Sequence, residues 1–264
     1  MGFKWIKDIE DLIDKGNLKT ALNRLDDILE LKPNNKIALK KKAEIFYMSN
    51  QLTKSLSTYE KLINIYKIKE DPLKQFEIYK NIGDIYGLLE NPSKVIRNYE
   101  RALERFSNLD VNTQEQFFEE KILLLSDLAA CYVKLKDYSE AIKHYQILLQ
   151  IHIEFGPMEG IADNLFEIAM ILYKQKFYGK SFKNFYESLK IYKELQYLSQ
   201  EGIINYYLGK IIYLKNDFNE AYKHLDRALM LFTKIGFENP FEDIESNEYY
   251  IKAKTLWEDI RKRN

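Results

Sequence analysis

The sequence predicts an all-α fold, a solenoid of helix–turn–helix repeats forming one domain over residues 1–264. Three observations carry that prediction. Helix breakers are scarce, with 10 glycines and 5 prolines in 264 residues, where an average protein carries about 12% of the two combined. Lys, Glu, Leu and Ile dominate, and strand-like alternation is hard to find. Most telling, one spacing recurs six times along the chain.

That spacing ties two residues twelve positions apart. The first members are Ile9, Ala43, Gly83, Ala129, Ala169 and Gly209, and the second are Ala21, Ser55, Val95, Ala141, Ser181 and Ala221. Most are small. Two antiparallel helices approach closely only where a residue at their crossing is small, so each pair reads as one crossing. Large apolar residues stand beside the crossings: Leu12, Phe46, Tyr86, Tyr132, Leu172 and Ile212 after the first members, and Leu25, Tyr59, Tyr99, Tyr145, Phe185 and Leu225 after the second.

The elements follow in order. Repeats are expected near 2–35, 36–70, 71–110, 112–156, 157–197 and 198–237. Turn-prone stretches divide each into two helices: Lys15-Gly16-Asn17, Ser49-Asn50-Gln51, Glu90-Asn91-Pro92, Lys136-Asp137, Lys174-Gln175-Lys176 and Lys215-Asn216-Asp217. Pro92 suits a first helical turn, where its missing N–H costs nothing. Gly156-Pro157 and Gly236 read as stops of second helices. The later repeats are longer than the first, and the extra residues stay amphipathic, which predicts longer helices rather than longer loops. Ser107 to Thr113 reads as the longest loop. A capping helix is expected over 243–263, with Ile244 and Trp257 among its apolar residues, because the last repeat of a stack leaves an apolar edge to cover.

These columns resemble the tetratricopeptide repeat. Two units carry the likeness most clearly: Tyr79 to Tyr86 continuing to Tyr99 and Leu103, and Tyr206 to Gly209 continuing to Ala221, Ala228 and Leu229. The resemblance runs over residues 2–237. Only the first unit has the family's Trp, at Trp5, and its closing Pro, at Pro33. Units of about 40 residues look like the long-repeat subgroup found in kinesin light chains, mitotic-spindle adaptors and bacterial peptide-sensing regulators. The resemblance implies a right-handed superhelix and a non-enzymatic scaffold or adaptor that binds proteins.

Composition narrows the function classes. Lys+Arg and Asp+Glu both number 40, so the basic excess of a nucleic-acid binder is missing. No apolar run approaches the roughly 20 residues that span a bilayer. One cysteine, Cys131, excludes an internal disulfide, reads as a buried small hydrophobe and fits a cytoplasmic setting. His144, His152 and His224 fall on different units, and no metal-binding, phosphate-loop or nucleophile motif is present. No catalytic residue, metal or cofactor is expected.

In a stacked array the first helices line the inner wall. Counting from the small first members places Lys40, Tyr47, Lys80, Asn81, Asp84 and Asp127 on the N-terminal part of a peptide-binding groove. Phe166, Met170, Tyr173, Tyr206, Lys210 and Tyr213 fall on a more aromatic C-terminal part. Rings of this kind also suit packing between repeats. Repeats of the family that grip a chaperone's terminal carboxylate use a Lys/Asn, Asn, Lys/Arg set. Lys80 and Asn81 match single members, but Asp127, Asp163 and Glu167 stand where partner cations are needed. A peptide or helical segment of basic and apolar character is the expected guest. Two further readings are a peptide-sensing regulator and a structural subunit of a larger assembly, and association with further copies of the chain stays open.

Overall fold

The structure is a computed structural model, and it describes residues 4–68, 71–238 and 248–263. Residues 2 and 3 of the first repeat, and residues 243–247 of the expected capping helix with Ile244, lie outside the described residues. Among these, fourteen helices and no strand are present. The chain divides into two compact units, Met1–Asp137 and Tyr138–Asn264.

The N-terminal unit contains α1 (Lys4–Asp14), α2 (Leu18–Leu31), α3 (Lys36–Met48), α4 (Leu52–Ile68), α5 (Pro72–Leu88), α6 (Pro92–Ser107), α7 (Val111–Gln116) and α8 (Phe118–Lys134). Sequence chemistry sets the starts. Asn35, Asp71 and Asn91 each accept the backbone N–H three residues on, at 3.1, 3.0 and 3.2 Å. These are the side-chain caps that first-turn donors require. Pro72 and Pro92 occupy the first helical position. The stretch read as the longest loop is shorter than expected. Asp110 caps the Thr113 N–H at 3.1 Å and starts the short helix α7, an Asp-x-x-Thr signal that the sequence reading missed.

The C-terminal unit contains α9 (Tyr138–Phe155), α10 (Met158–Lys174), α11 (Tyr178–Glu194), α12 (Leu198–Tyr213), α13 (Phe218–Glu238) and α14 (Glu248–Arg263). The extra residues of these repeats do extend the helices, as α13 with 21 residues shows. One stop was misplaced: α13 runs through Gly236. In α14, Trp257 stacks on Tyr222 of α13 at 5.5 Å between ring centroids, which covers the end of the stack.

Within each unit, helices pack mainly on their neighbours in sequence. All twelve crossing residues are buried. Where the second member is serine, its hydroxyl donates to the carbonyl of the first: Ser55 to Ala43 and Ser181 to Ala169, both at 2.8 Å. The neighbouring Leu25, Tyr59, Tyr99, Tyr145, Phe185 and Leu225 are buried too. A β-carbon on Gly83 would lie 2.2 Å from the Tyr99 ring, and one on Gly209 would lie 2.9 Å from Leu225 Cγ. Glycine at those two positions is therefore a packing requirement.

The turns inside the hairpins share one device. Five positions before each second-helix crossing residue stands a residue with positive φ: Gly16, Asn50, Glu90, Lys136, Lys176 and Asn216. In five of the six, the next residue donates its N–H back to the carbonyl of the large first-helix residue, as from Asn91 to Tyr86 at 2.9 Å. This left-handed reversal satisfies carbonyls that the helix end would leave open.

Candidate functional site

The first helices of the N-terminal unit are α1, α3, α5 and α8, and the last three carry the predicted site residues of this unit. They form a wall laced with ion pairs. Lys41 Nζ bridges Glu10 at 3.1 Å and Glu44 at 3.8 Å, which joins α1 to α3. Lys40 Nζ reaches Glu77 at 3.0 Å, which joins α3 to α5. Lys74 meets the same carboxylate at 2.8 Å. Burial pushes the Glu77 carboxyl up, but the two lysine hydrogen bonds outweigh it and hold the group below the usual carboxylate range.

A surface cavity of about 380 Å³ opens in this wall. Tyr47, Asn81 and Asp84 line it, so three predicted residues come together. Tyr47 and Met48 at its rim are 40% and 52% exposed. Ile13 of α1 and Tyr59 of α4 also line it and were not among the predicted residues. Tyr59 was read only as a packing residue. Its buried hydroxyl nevertheless accepts a hydrogen bond from Asn81 Nδ2 at 3.3 Å. A second cavity of about 240 Å³, lined in part by Lys40, Lys80, Glu44 and Asn81, adjoins the first through the last two residues.

The carboxylates here are unequally served. Asp84 accepts the Tyr99 hydroxyl at 2.7 Å and pairs with Lys80 at 3.3 Å. Asp127 of α8 has only distant help. Burial, and then the negative charge of Asp84, raise its carboxyl above the usual range despite Lys80 and Lys134.

In the C-terminal unit the predicted residues group differently. Phe166, Met170 and Tyr173 are half-buried and pack on the core built by Phe185, Leu189 and Ile204. Phe166 meets Phe185 edge-on at 5.7 Å, and Tyr173 meets Tyr207 at 5.2 Å. Lys210 Nζ lies 5.5 Å from the ring centres of both Tyr173 and Tyr206 and donates to the Tyr206 hydroxyl at 3.2 Å. Tyr206 itself departs from the expectation. It is 2% exposed, closed in by Tyr207 and by Tyr249 of α14, and belongs to the core. Tyr213 is half-buried and donates its hydroxyl to Asp259 of α14. The reason is common to both: α14 folds back on α12, a tertiary contact that counting along a repeat does not register.

Two of the histidines pair with amides. His224 Nδ1 lies 2.9 Å from Asn205 Oδ1, and His152 Nδ1 lies 2.8 Å from Asn164 Nδ2. Burial lowers the His224 pKa. Among the described residues no group of three or more His, Cys, Asp or Glu side chains could hold a metal ion. Nor is any described helix long and apolar enough to cross a membrane.

Repeated helical hairpins with small crossing residues define the class, that of helical-repeat proteins. Residues 124–157 match the tetratricopeptide repeat family, and similar solved structures share the fold. YrrB, described as a TPR protein with an unusual peptide-binding site, is 16% identical, with a TM-score of 0.57 over 88% of this chain and 97% of that one. The apo form of RapI is 15% identical, with a TM-score of 0.59 over 86% of this chain and 84% of that one. The STAND protein PH0952 from Pyrococcus horikoshii, which has a tetratricopeptide repeat sensor, is 21% identical at a TM-score of 0.61. That match covers 89% of this chain and only 36% of PH0952. No curated protein sequence matches the chain.

Proposed function

We propose that the chain is a non-enzymatic scaffold that binds a basic, partly apolar peptide or helical segment against the first helices of its N-terminal unit. The observation that carries this reading is the Asp84–Asp127 pair. Burial, and then the charge of Asp84 on the preceding first helix, raise the Asp127 pKa, and a guest cation placed beside the two carboxylates would favour their ionised forms. Exposed Tyr47 and Met48 supply adaptable apolar contact beside it. Ring faces such as Tyr47 also attract cations. YrrB, a structural neighbour described as having an unusual peptide-binding site, supports a peptide guest.

Calorimetric titration with a basic amphipathic peptide and its twin, in which each Lys is replaced by Glu, tests the reading. The basic peptide is expected to bind, and salt to weaken it through screening. Asp84→Asn with Asp127→Asn is expected to remove most of that affinity. Equal binding of the acidic twin, or an unchanged double variant, would sink the proposal.

A further inference from the structure

A third cavity lies in the N-terminal unit and shares no lining residue with the two described above. It has a volume of about 430 Å³, within the roughly 300–1,000 Å³ common for ligand sites. Its walls are Lys67 at the end of α4, Pro72 and Gln75 at the start of α5, and Arg105 and Asn108 at the end of α6. No acidic side chain is among the described lining residues.

Three features single it out. The Arg105 Nε–H is buried and has no hydrogen-bond acceptor. A buried donor of a charged group is costly to leave unmet. The same guanidinium meets Glu104 through Nη2 at 3.1 Å, but that pair is exposed and competes weakly. Lys67 has no carboxylate within ion-pair distance among the described residues; its ammonium lies 6.0 Å from the Tyr79 ring centre. Gln75 is 6% exposed, and its amide is anchored by donating to the Tyr66 carbonyl at 3.1 Å, which leaves its second N–H free of that bond. Asp71, beside Pro72 in sequence, is engaged in capping the Lys74 N–H.

We infer that this cavity binds a phosphomonoester group. The Arg105 guanidinium and the Lys67 ammonium bring two positive charges to the cavity, with the Gln75 and Asn108 amides as further donors. Two cations match the charge of about −1.5 to −2 that such a group carries at neutral pH. The group arrives either as a free phosphate compound or on a phosphorylated side chain, and the ligand chemistry is the same.

The test follows the Arg105 Nε–H resonance by ¹⁵N-edited NMR during titration with inorganic phosphate. The experiment is repeated with a short phosphoserine peptide and its unphosphorylated twin. A saturable shift with phosphate and with the phosphopeptide, and none with the twin, is expected. Tighter binding of the phosphopeptide assigns the group to a protein partner, and equal binding assigns it to a free compound. Calorimetry with Arg105→Gln and with the exposed Lys67→Met should each show about tenfold weaker binding, as expected for the loss of one charge-assisted contact. Unchanged helical circular dichroism shows that each variant is folded. Shifts no larger than those given by chloride at equal ionic strength, or a folded Lys67→Met that binds phosphate as tightly as the original chain, would overturn the inference.

Discussion

The Ser55 hydroxyl donates to the Ala43 carbonyl at 2.8 Å, across the crossing of α3 and α4. Twelve residues separate the two, the interval that recurs through the chain, and Ser181 repeats the bond to Ala169. The serine does two things: it keeps the helices close, and it gives a second donor to a helical carbonyl. Only the second is lost in Ser55→Ala, since alanine holds the same column at Ala21, Ala141 and Ala221. Chemical denaturation should show a loss of about 0.5–1.5 kcal/mol, the usual net value of one hydrogen bond. Ser55→Leu should cost more, about 1–3 kcal/mol, through overpacking.

Two glycines of α5 should respond in opposite directions. A β-carbon at Gly83 meets the Tyr99 ring at 2.2 Å, and that ring is held by its hydroxyl on Asp84. Gly83→Ala should destabilise by about 1–3 kcal/mol. A β-carbon at Gly87, one helical turn on, meets nothing within 4 Å. Gly87→Ala should stabilise by up to about 1 kcal/mol through helix propensity. Urea melts of both variants check the contrast.

Glu90 sits in the left-handed turn between α5 and α6 with φ of 52°. A non-glycine residue there bears a steric cost of about 1–2 kcal/mol, partly offset by the greater freedom of glycine in the unfolded chain. Glu90→Gly should therefore raise the denaturation midpoint. Gly16→Ala, at φ of 73°, should lower it.

Stability should fall as pH drops below about 6.5. Burial lowers the His224 pKa in the folded state from its ordinary 6.5. The unfolded chain then binds the proton more readily, so protonation favours unfolding in the window between the lowered pKa and 6.5. The Asp127 carboxyl has the opposite sign: raised above 3.8 by burial and by Asp84, it costs stability while ionised and ceases to do so as pH falls through its raised pKa. Thermal melts of His224→Gln should show a flatter profile below 6.5. Asp127→Asn should be more stable than the original chain at neutral pH while binding a basic peptide less well.

What the sequence makes legible is the helix crossing. Small residues at a fixed interval leave a one-dimensional trace, because both partners lie in one hairpin. All twelve are buried as expected. The turn positions were visible as turns, but Glu90, Lys136 and Lys176 are not residues that advertise a positive φ. The wall around Asp84 was partly legible, since Tyr47, Asn81 and Asp84 share a helical face register. Ile13 was not, because its place at the cavity depends on how the first repeat stacks on the second. Tyr206 was misplaced for a similar reason: its accessible side is taken by Tyr249, more than forty residues away.

The most direct test of the wall of first helices is a methyl NMR map of basic-peptide binding. Ile13 and Met48 both line the cavity beside Asp84, and Leu31 lies on an exposed surface outside its lining. Saturating basic peptide should move the Ile13 and Met48 methyl resonances and leave Leu31 unmoved. Shifts confined to methyl groups away from the cavity, with Ile13 and Met48 silent, would contradict the account.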